Sequence, residues 1–65
     1  MRAGDLVRCI LTIPIDVAIY DSDRTHKLQP GILGLVVGIT YGSNYALIMV
    51  GNEVIDVDKD FWQVF

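Results

Sequence analysis

The stretch that decides the fold is Gly34–Phe65, GLVVGITYGSNYALIMVGNEVIDVDKDFWQVF. Its apolar runs are short, and turn residues separate them: Gly-Ser-Asn after the first run and Gly51-Asn52 after the second. Short apolar runs bounded by such residues indicate β-strands, and a two-residue Gly-Asn connection is typical of a hairpin. Asp58–Phe61 is typical of a single 3-10 turn capped by Asp58, which precedes a last strand at Trp62–Phe65.

The residues before this stretch continue the β pattern. Leu6–Leu11 alternates, with Val7, Cys9 and Leu11 on one face, and Ile15–Tyr20 alternates as well. Residues 21–31 are polar, lack periodicity and end in Pro30-Gly31, so we expect the one long loop of the chain there.

The segment Ile32–Tyr41 has two unlike faces. Its odd positions are large and apolar, whereas its even positions include Gly34 and Gly38. Glycines four residues apart in a strand favour sharp coiling of the sheet or the close approach of another part of the chain. Several short strands in 65 residues predict one domain over residues 1–65, an all-β, five-stranded barrel whose closure removes exposed edges.

Composition excludes several classes of function. One cysteine and one histidine provide neither a disulfide nor a zinc cluster within one chain. The net charge of −3 argues against a nucleic-acid surface, which needs clustered cations. No run approaches the roughly 20 apolar residues of a membrane helix, and the first residues lack the apolar core of a signal peptide. We therefore expect an intracellular, cytoplasmic protein without a membrane partner.

Three segments together resemble a known class of fold. Gly4–Arg8, Pro30–Ile39 and the terminal Asp58–Phe61 turn look like the corresponding parts of SH3-like small barrels. The Gly-x-x-Gly-x-Val pattern is similar to the KOW subgroup, and the chain also resembles short SH3-like proteins of tailed phages. The resemblance implies a phage-encoded binding protein, structural or host-directed, that acts in the host cytoplasm or the virion.

The same resemblance leaves two rival functions open. A KOW-like nucleic-acid binder would need a cationic face, for which Arg2, Arg8, Arg24 and Lys27 are the candidates. An oligomeric enzyme with a shared pore is known among SH3-like barrels in a plasmid-borne dihydrofolate reductase. Its site strand reads Val-Gln-Ile-Tyr, whereas this chain has Val54–Val57, so only the Asp56/Asp58 face would remain for such a pore.

Other chemistry-bearing residues have plain structural interpretations. Asp56, Asp58 and Asp60 alternate, so on an extended strand they would share a face that could bind Ca²⁺ or Mg²⁺. They lack the glycine and distal glutamate of a calcium loop, which favours a solvated face. Cys9 is expected to be a buried apolar residue. We expect no enzyme activity, cofactor, metal or small-molecule substrate.

Self-association is the function that the composition favours most. Hydrophobic residues make up 52% of the chain, and the strand Tyr45–Val50 is apolar on both faces although only one can face the core. We expect a homo-oligomer, with an interface formed by Tyr45, Leu47, Ile48, Met49, Val50 and Val54. A second, protein partner is expected at the polar loop, through Asp21, Asp23, Arg24, His26 and Lys27.

Overall fold

The computed structural model describes residues 1–40 and 42–65 and shows an all-β protein. The strands are β1 Leu6–Cys9, β2 Ile15–Ile19, β3 Thr25–Leu28, β4 Leu33–Ile39, β5 Tyr45–Val50, β6 Glu53–Asp58 and β7 Trp62–Val64, with a 3-10 helix at Lys59–Phe61. The predicted 3-10 turn is confirmed: Asp58 caps it by accepting a hydrogen bond from the Asp60 amide at 2.8 Å. Tyr41, the last residue of the predicted segment Ile32–Tyr41, lies outside the described residues.

The strands form one antiparallel sheet in the order β3-β2-β6-β5-β4-β1-β7. The prediction of a closed five-stranded barrel is wrong in two respects, because the sheet has seven strands and is open. Its end strands, β3 and β7, are only four and three residues long. Short edges leave few backbone groups unpaired, which lets a small sheet stay open without a long exposed edge.

The open sheet is nevertheless strongly curved around a single core. Seven flat strands at about 4.8 Å spacing would span roughly 29 Å, whereas the largest extent of the molecule is 25 Å. Every strand contributes inward side chains, and the buried apolar residues are Val7, Cys9, Val17, Ile19, Leu28, Val36, Ala46, Ile48, Val50, Ile55, Val57 and Trp62. Because one face of the whole sheet is buried, the other face remains available for contacts.

The glycines of β4 explain part of this curvature. The register between β4 and β5 shifts between Val36 and Gly38, and such a bulge bends and twists a strand. At Gly34 the chain is crowded: an added Cβ would lie 2.5 Å from Ile48 Cγ2 and 3.3 Å from Trp62 Cζ3. Before the bulge the small face of β4 therefore points inward, where Gly34 and Val36 are buried.

The polar segment 21–31 is not entirely loop. Thr25–Leu28 forms β3, which pairs with β2 through Ile15↔Leu28, Asp16↔Lys27, Val17↔His26 and Ala18↔Thr25. Leu28 is fully buried and anchors this hairpin in the core. The hydrophobic pattern did not predict this strand, because it lies at the sheet edge and only one of its four residues is buried.

Candidate functional site

The outer side of the sheet carries a continuous apolar surface, which we call the outer apolar face. Its residues are Leu6, Leu33, Leu35, Val37, Leu47, Met49 and Val54. They lie on β1, β4, β5 and β6, and five of them expose between 37% and 58% of their surface, while Leu47 and Val54 are half-buried. Alternation places them there because their neighbours along each strand fill the core.

Strand register makes this face continuous. Leu6 pairs with Leu35, Leu35 pairs with Met49, and Met49 pairs with Val54, so one apolar row crosses four strands. The Phe65 amide donates to the Leu6 carbonyl at 3.0 Å, which brings the exposed Phe65 to the end of the row. Cross-strand partners lie about 5 Å apart, so these side chains touch one another rather than being scattered singly.

The structure divides the predicted interface into two sets. Ile48 and Val50 lie in the core, with exposures of 0% and 5%, and are therefore unavailable for contacts with a second chain. Leu47, Met49 and Val54 lie on the outer apolar face, and Tyr45 lies beyond its end, opposite Asp58. The sequence shows that both faces of β5 are apolar, but alternation by itself does not tell which face lies in the core.

A groove opens next to Tyr45, between β2 and β6. It has a volume of about 320 Å³, and its lining includes Asp16, Ala18, Tyr45, Asp56, Asp58 and Phe61. The two strands pair only at Ala18↔Asp56 and Ile19↔Ile55 and separate beyond that point. The groove is the space that this separation leaves.

The three alternating aspartates do not share one face. Asp56 and Asp58 point toward the groove, whereas the backbone of Asp60 has turned into the 3-10 helix and donates to Asp58. Asp58 Oδ1 also accepts from Asn44 Nδ2 at 2.6 Å, so it serves as a structural cap. Within residues 1–40 and 42–65, no three acidic, histidine or cysteine side chains are placed to share a metal ion.

The predicted contact loop comprises the tip of the β2–β3 hairpin and part of β3, in which His26 and Lys27 lie. Asp21, Asp23, Arg24 and Lys27 are exposed, as a contact surface requires. His26 is half-buried instead, and its Nδ1 lies 3.0 Å from Glu53 Oε1, while Arg24 Nη2 lies 3.8 Å from Glu53 Oε2. His26 is therefore better explained as a tie between the hairpin and the start of β6 than as a contact residue.

The four candidate cations each have a local neighbour. Arg24 is near Glu53, Lys27 is opposite Asp16, and the Arg8 guanidinium lies 5.7 Å from the ring centroid of Phe65. The main-chain amide of Arg2 donates to Asp5 Oδ2 at 2.8 Å, which places an acidic side chain next to it. Of these four cations, only Arg24 has a carboxylate within ion-pair distance among the described residues.

One further sequence expectation concerns a buried residue. Cys9 is a buried free thiol with 2% exposure, as predicted. Asp16 lines the groove but was not singled out from the sequence. The groove depends on the separation of β2 from β6, and no local pattern reveals that separation. No helix in the described part of the chain is both long and apolar enough to traverse a bilayer.

Comparisons with protein-family models, with curated proteins and with solved structures find no match to this chain.

Proposed function

We propose that this protein is a non-enzymatic assembly module that associates with copies of itself through the outer apolar face. The observation that carries the proposal is the row Leu6, Leu35, Met49 and Val54, which is apolar across four strands. In the single chain its first three residues are exposed and Val54 is half-buried. Contiguous exposed apolar surface of this kind marks interaction sites in proteins.

A second copy is the occupant that fits this face best. The row contains no charged residue, so two copies can meet across a twofold axis without pairing like charges. A stable interface buries about 800 Å² on each partner, which is roughly a fifth of the 4211 Å² surface of this chain.

The small size of the chain supports the same proposal. A domain of 65 residues buries only about 60% of its unfolded surface, and its core supplies roughly 3–5 kcal/mol. Neither a disulfide nor a described metal cluster adds to this stability. Covering the outer apolar face would contribute further hydrophobic stabilisation.

We also propose that the curved sheet is an SH3-like small barrel. It is open because its end strands, β3 and β7, are not hydrogen-bonded to each other. In its support, one core is enclosed by all seven strands, and a 3-10 turn precedes the last strand. With the sequence resemblance, this favours a phage-encoded structural or host-directed protein. The KOW-like alternative has less support because the chain has a net charge of −3, whereas a nucleic-acid surface needs clustered cations.

Light scattering on a sizing column, across a dilution series, tests self-association. We expect a discrete oligomer for the natural chain and a folded monomer for Leu35→Asp, because a charge in the apolar row has to be desolvated when the interface forms. Ile13→Asp is the matched control: Ile13 is 65% exposed but lies outside the face, so this variant should remain oligomeric. A natural chain that is monomeric at every concentration would refute the proposal, as would dissociation of Ile13→Asp.

A further inference from the structure

The outer apolar face has opposite charges at two of its corners. Arg8 is exposed on β1 and pairs with Leu33 of that face. Asp56 is half-buried on β6 and pairs with Leu47 of the same face. In sheet order β1 and β6 are the outermost of the four strands that form the face, so a cation stands at one side of it and a carboxylate at the other.

The two charges are also displaced in opposite directions along the strands. Arg8 follows Leu6 by two residues and Asp56 follows Val54 by two, and Leu6 and Val54 are the ends of the apolar row. Because β1 and β6 run in opposite directions, Arg8 and Asp56 lie diagonally across the row. On a flat sheet they would be about 20 Å apart, from three strand spacings and four residues of rise.

Neither charge is neutralised within the chain. Among the described residues, Arg8 has no carboxylate and Asp56 has no basic group within ion-pair distance. The two neighbouring carboxylates differ, since Asp16 has Lys27 opposite it and Asp58 accepts two hydrogen bonds. Covering the outer apolar face would remove water from Arg8 and Asp56, and such charges need partners in the interface.

The Arg8 side chain is already positioned at its corner of the face. Its guanidinium lies 5.7 Å from the ring centroid of the exposed Phe65, an attractive cation–π contact. An arginine held in this way loses less freedom when it pairs with a carboxylate. Asp56 Oδ1 is covered and has no donor, but a carboxylate shares its charge between both oxygens, so a cation above the residue still attracts it.

We propose that two copies pack with their outer apolar faces diagonally across each other, so that Arg8 of each copy pairs with Asp56 of the other. A twofold axis that exchanges the two corners forms both ion pairs at once, as a self-complementary interface requires. On flat sheets this axis lies about 45° from the strands, so the strands of the two copies cross at roughly 90°, one of the two arrangements in which sheets pack. This inference rests on the proposed function and deepens it.

Other twofold arrangements of the same face leave the charges unpaired. An axis straight across the strands places β1 over β1 and β6 over β6 of the second copy, which brings like charges toward each other. Like charges facing each other across an interface oppose association. The two charged corners therefore select the diagonal arrangement, whereas the apolar row by itself favours none.

Charge reversal at each corner tests the pairing. Arg8→Glu and Asp56→Arg should each raise the dissociation constant of the dimer at least about tenfold, because each variant faces two like-charge contacts in its own dimer. The measurement is light scattering across a dilution series. Arg2→Glu is the matched control: Arg2 is exposed and precedes β1, so the same change of charge there should leave the constant nearly unchanged.

Mixing the two reversed variants gives the decisive result. In a mixed dimer, Glu at position 8 of one copy faces Arg at position 56 of the other, and the natural Asp56 and Arg8 face each other at the second contact. Both pairs are then attractive, so an equal mixture should show the dimer mass at a concentration where each variant alone is monomeric. A dimer that paired Arg8 with Arg8 would not be restored in this way.

Neutral variants keep the inference testable if Asp56→Arg does not fold, which circular dichroism reveals. Arg8→Gln and Asp56→Asn each remove the same two ion pairs, so the double variant should dimerise no more weakly than either single one. Additive losses in the double variant would mean that the two residues do not contact each other.

Two kinds of failure are distinguishable. A natural chain that is monomeric at every concentration refutes self-association itself. A natural dimer whose dissociation constant is unchanged by Arg8→Glu, changed equally by Arg2→Glu, or not restored on mixing overturns only the Arg8–Asp56 pairing.

Discussion

Gly34 is the residue at which the packing of the core is most sensitive to a single added atom. A Cβ there would lie 2.5 Å from Ile48 Cγ2 and 3.3 Å from the Met49 carbonyl oxygen. The Ile48 methyl is attached at the branched Cβ and cannot swing away without a change of rotamer. We expect Gly34→Ala to lower the free energy of unfolding by about 1–3 kcal/mol, the usual cost of overpacking, as measured by urea denaturation.

Gly38 provides the matched control for this prediction. The nearest atom to an added Cβ there is Leu47 Cδ1 at 3.5 Å, an ordinary contact. Gly38→Ala should therefore change stability by less than about 1 kcal/mol. Equal stability of the two variants would contradict the packing at Gly34.

The importance of these glycines was predictable, but their partners were not. The alternation of Leu33, Leu35 and Val37 with smaller residues showed that β4 has one small face, and glycine in a strand indicates close approach. The contact with Ile48 depends on the pairing of β4 with β5 across a bulge. A local pattern carries no information about that register, so the sequence could not identify the neighbour.

At the level of elements, the β2–β3 hairpin is attached to the rest of the sheet over a short stretch. It joins β6 through two residue pairs, and Glu53 supplements them by contacting His26 at 3.0 Å. We expect Glu53→Ala to lower hydrogen-exchange protection of the β3 amides roughly tenfold, because a half-buried polar partner is lost. Protection in β4 and β5 should be unchanged.

Arg24→Ala separates the two contacts of Glu53. The Arg24 side chain is 70% exposed and its distance to Glu53 is 3.8 Å, and such exposed pairs contribute little. Protection in β3 should therefore stay close to that of the natural chain. A loss in Arg24→Ala as large as in Glu53→Ala would assign the tie to Arg24 instead of His26.

The β2–β3 hairpin is also an element that the sequence pattern could not predict in full. Thr25, His26 and Lys27 are polar, and an edge strand with one inward residue has no alternation to detect. The contact between His26 and Glu53 joins residues 27 positions apart in the chain. By contrast, the 3-10 turn was predictable because Asp58 and the Asp60 amide that it caps are close in sequence.

For the whole molecule, the all-β class followed from turn residues and short apolar runs, whereas the open, curved sheet did not. The number of strands and the closure of a sheet depend on how its two ends meet, which is a property of the complete chain. The same is true of the candidate site, since the outer apolar face exists only once β1, β4, β5 and β6 are aligned. The sequence indicated excess apolar surface but could not assign it to one side.

Adjacent substitutions in β5 test which side of the sheet is the core. Ile48 is fully buried, so Ile48→Asp places an unpaired carboxylate among apolar side chains, and the cost exceeds the few kcal/mol that such a small core supplies. Met49 is 39% exposed, so Met49→Asp should fold, with a change in unfolding free energy below about 1 kcal/mol. Circular dichroism at low protein concentration distinguishes an unfolded first variant from a folded second one. A folded Ile48→Asp together with an unfolded Met49→Asp would mean that the sheet curves the other way, and the outer apolar face would then be the core.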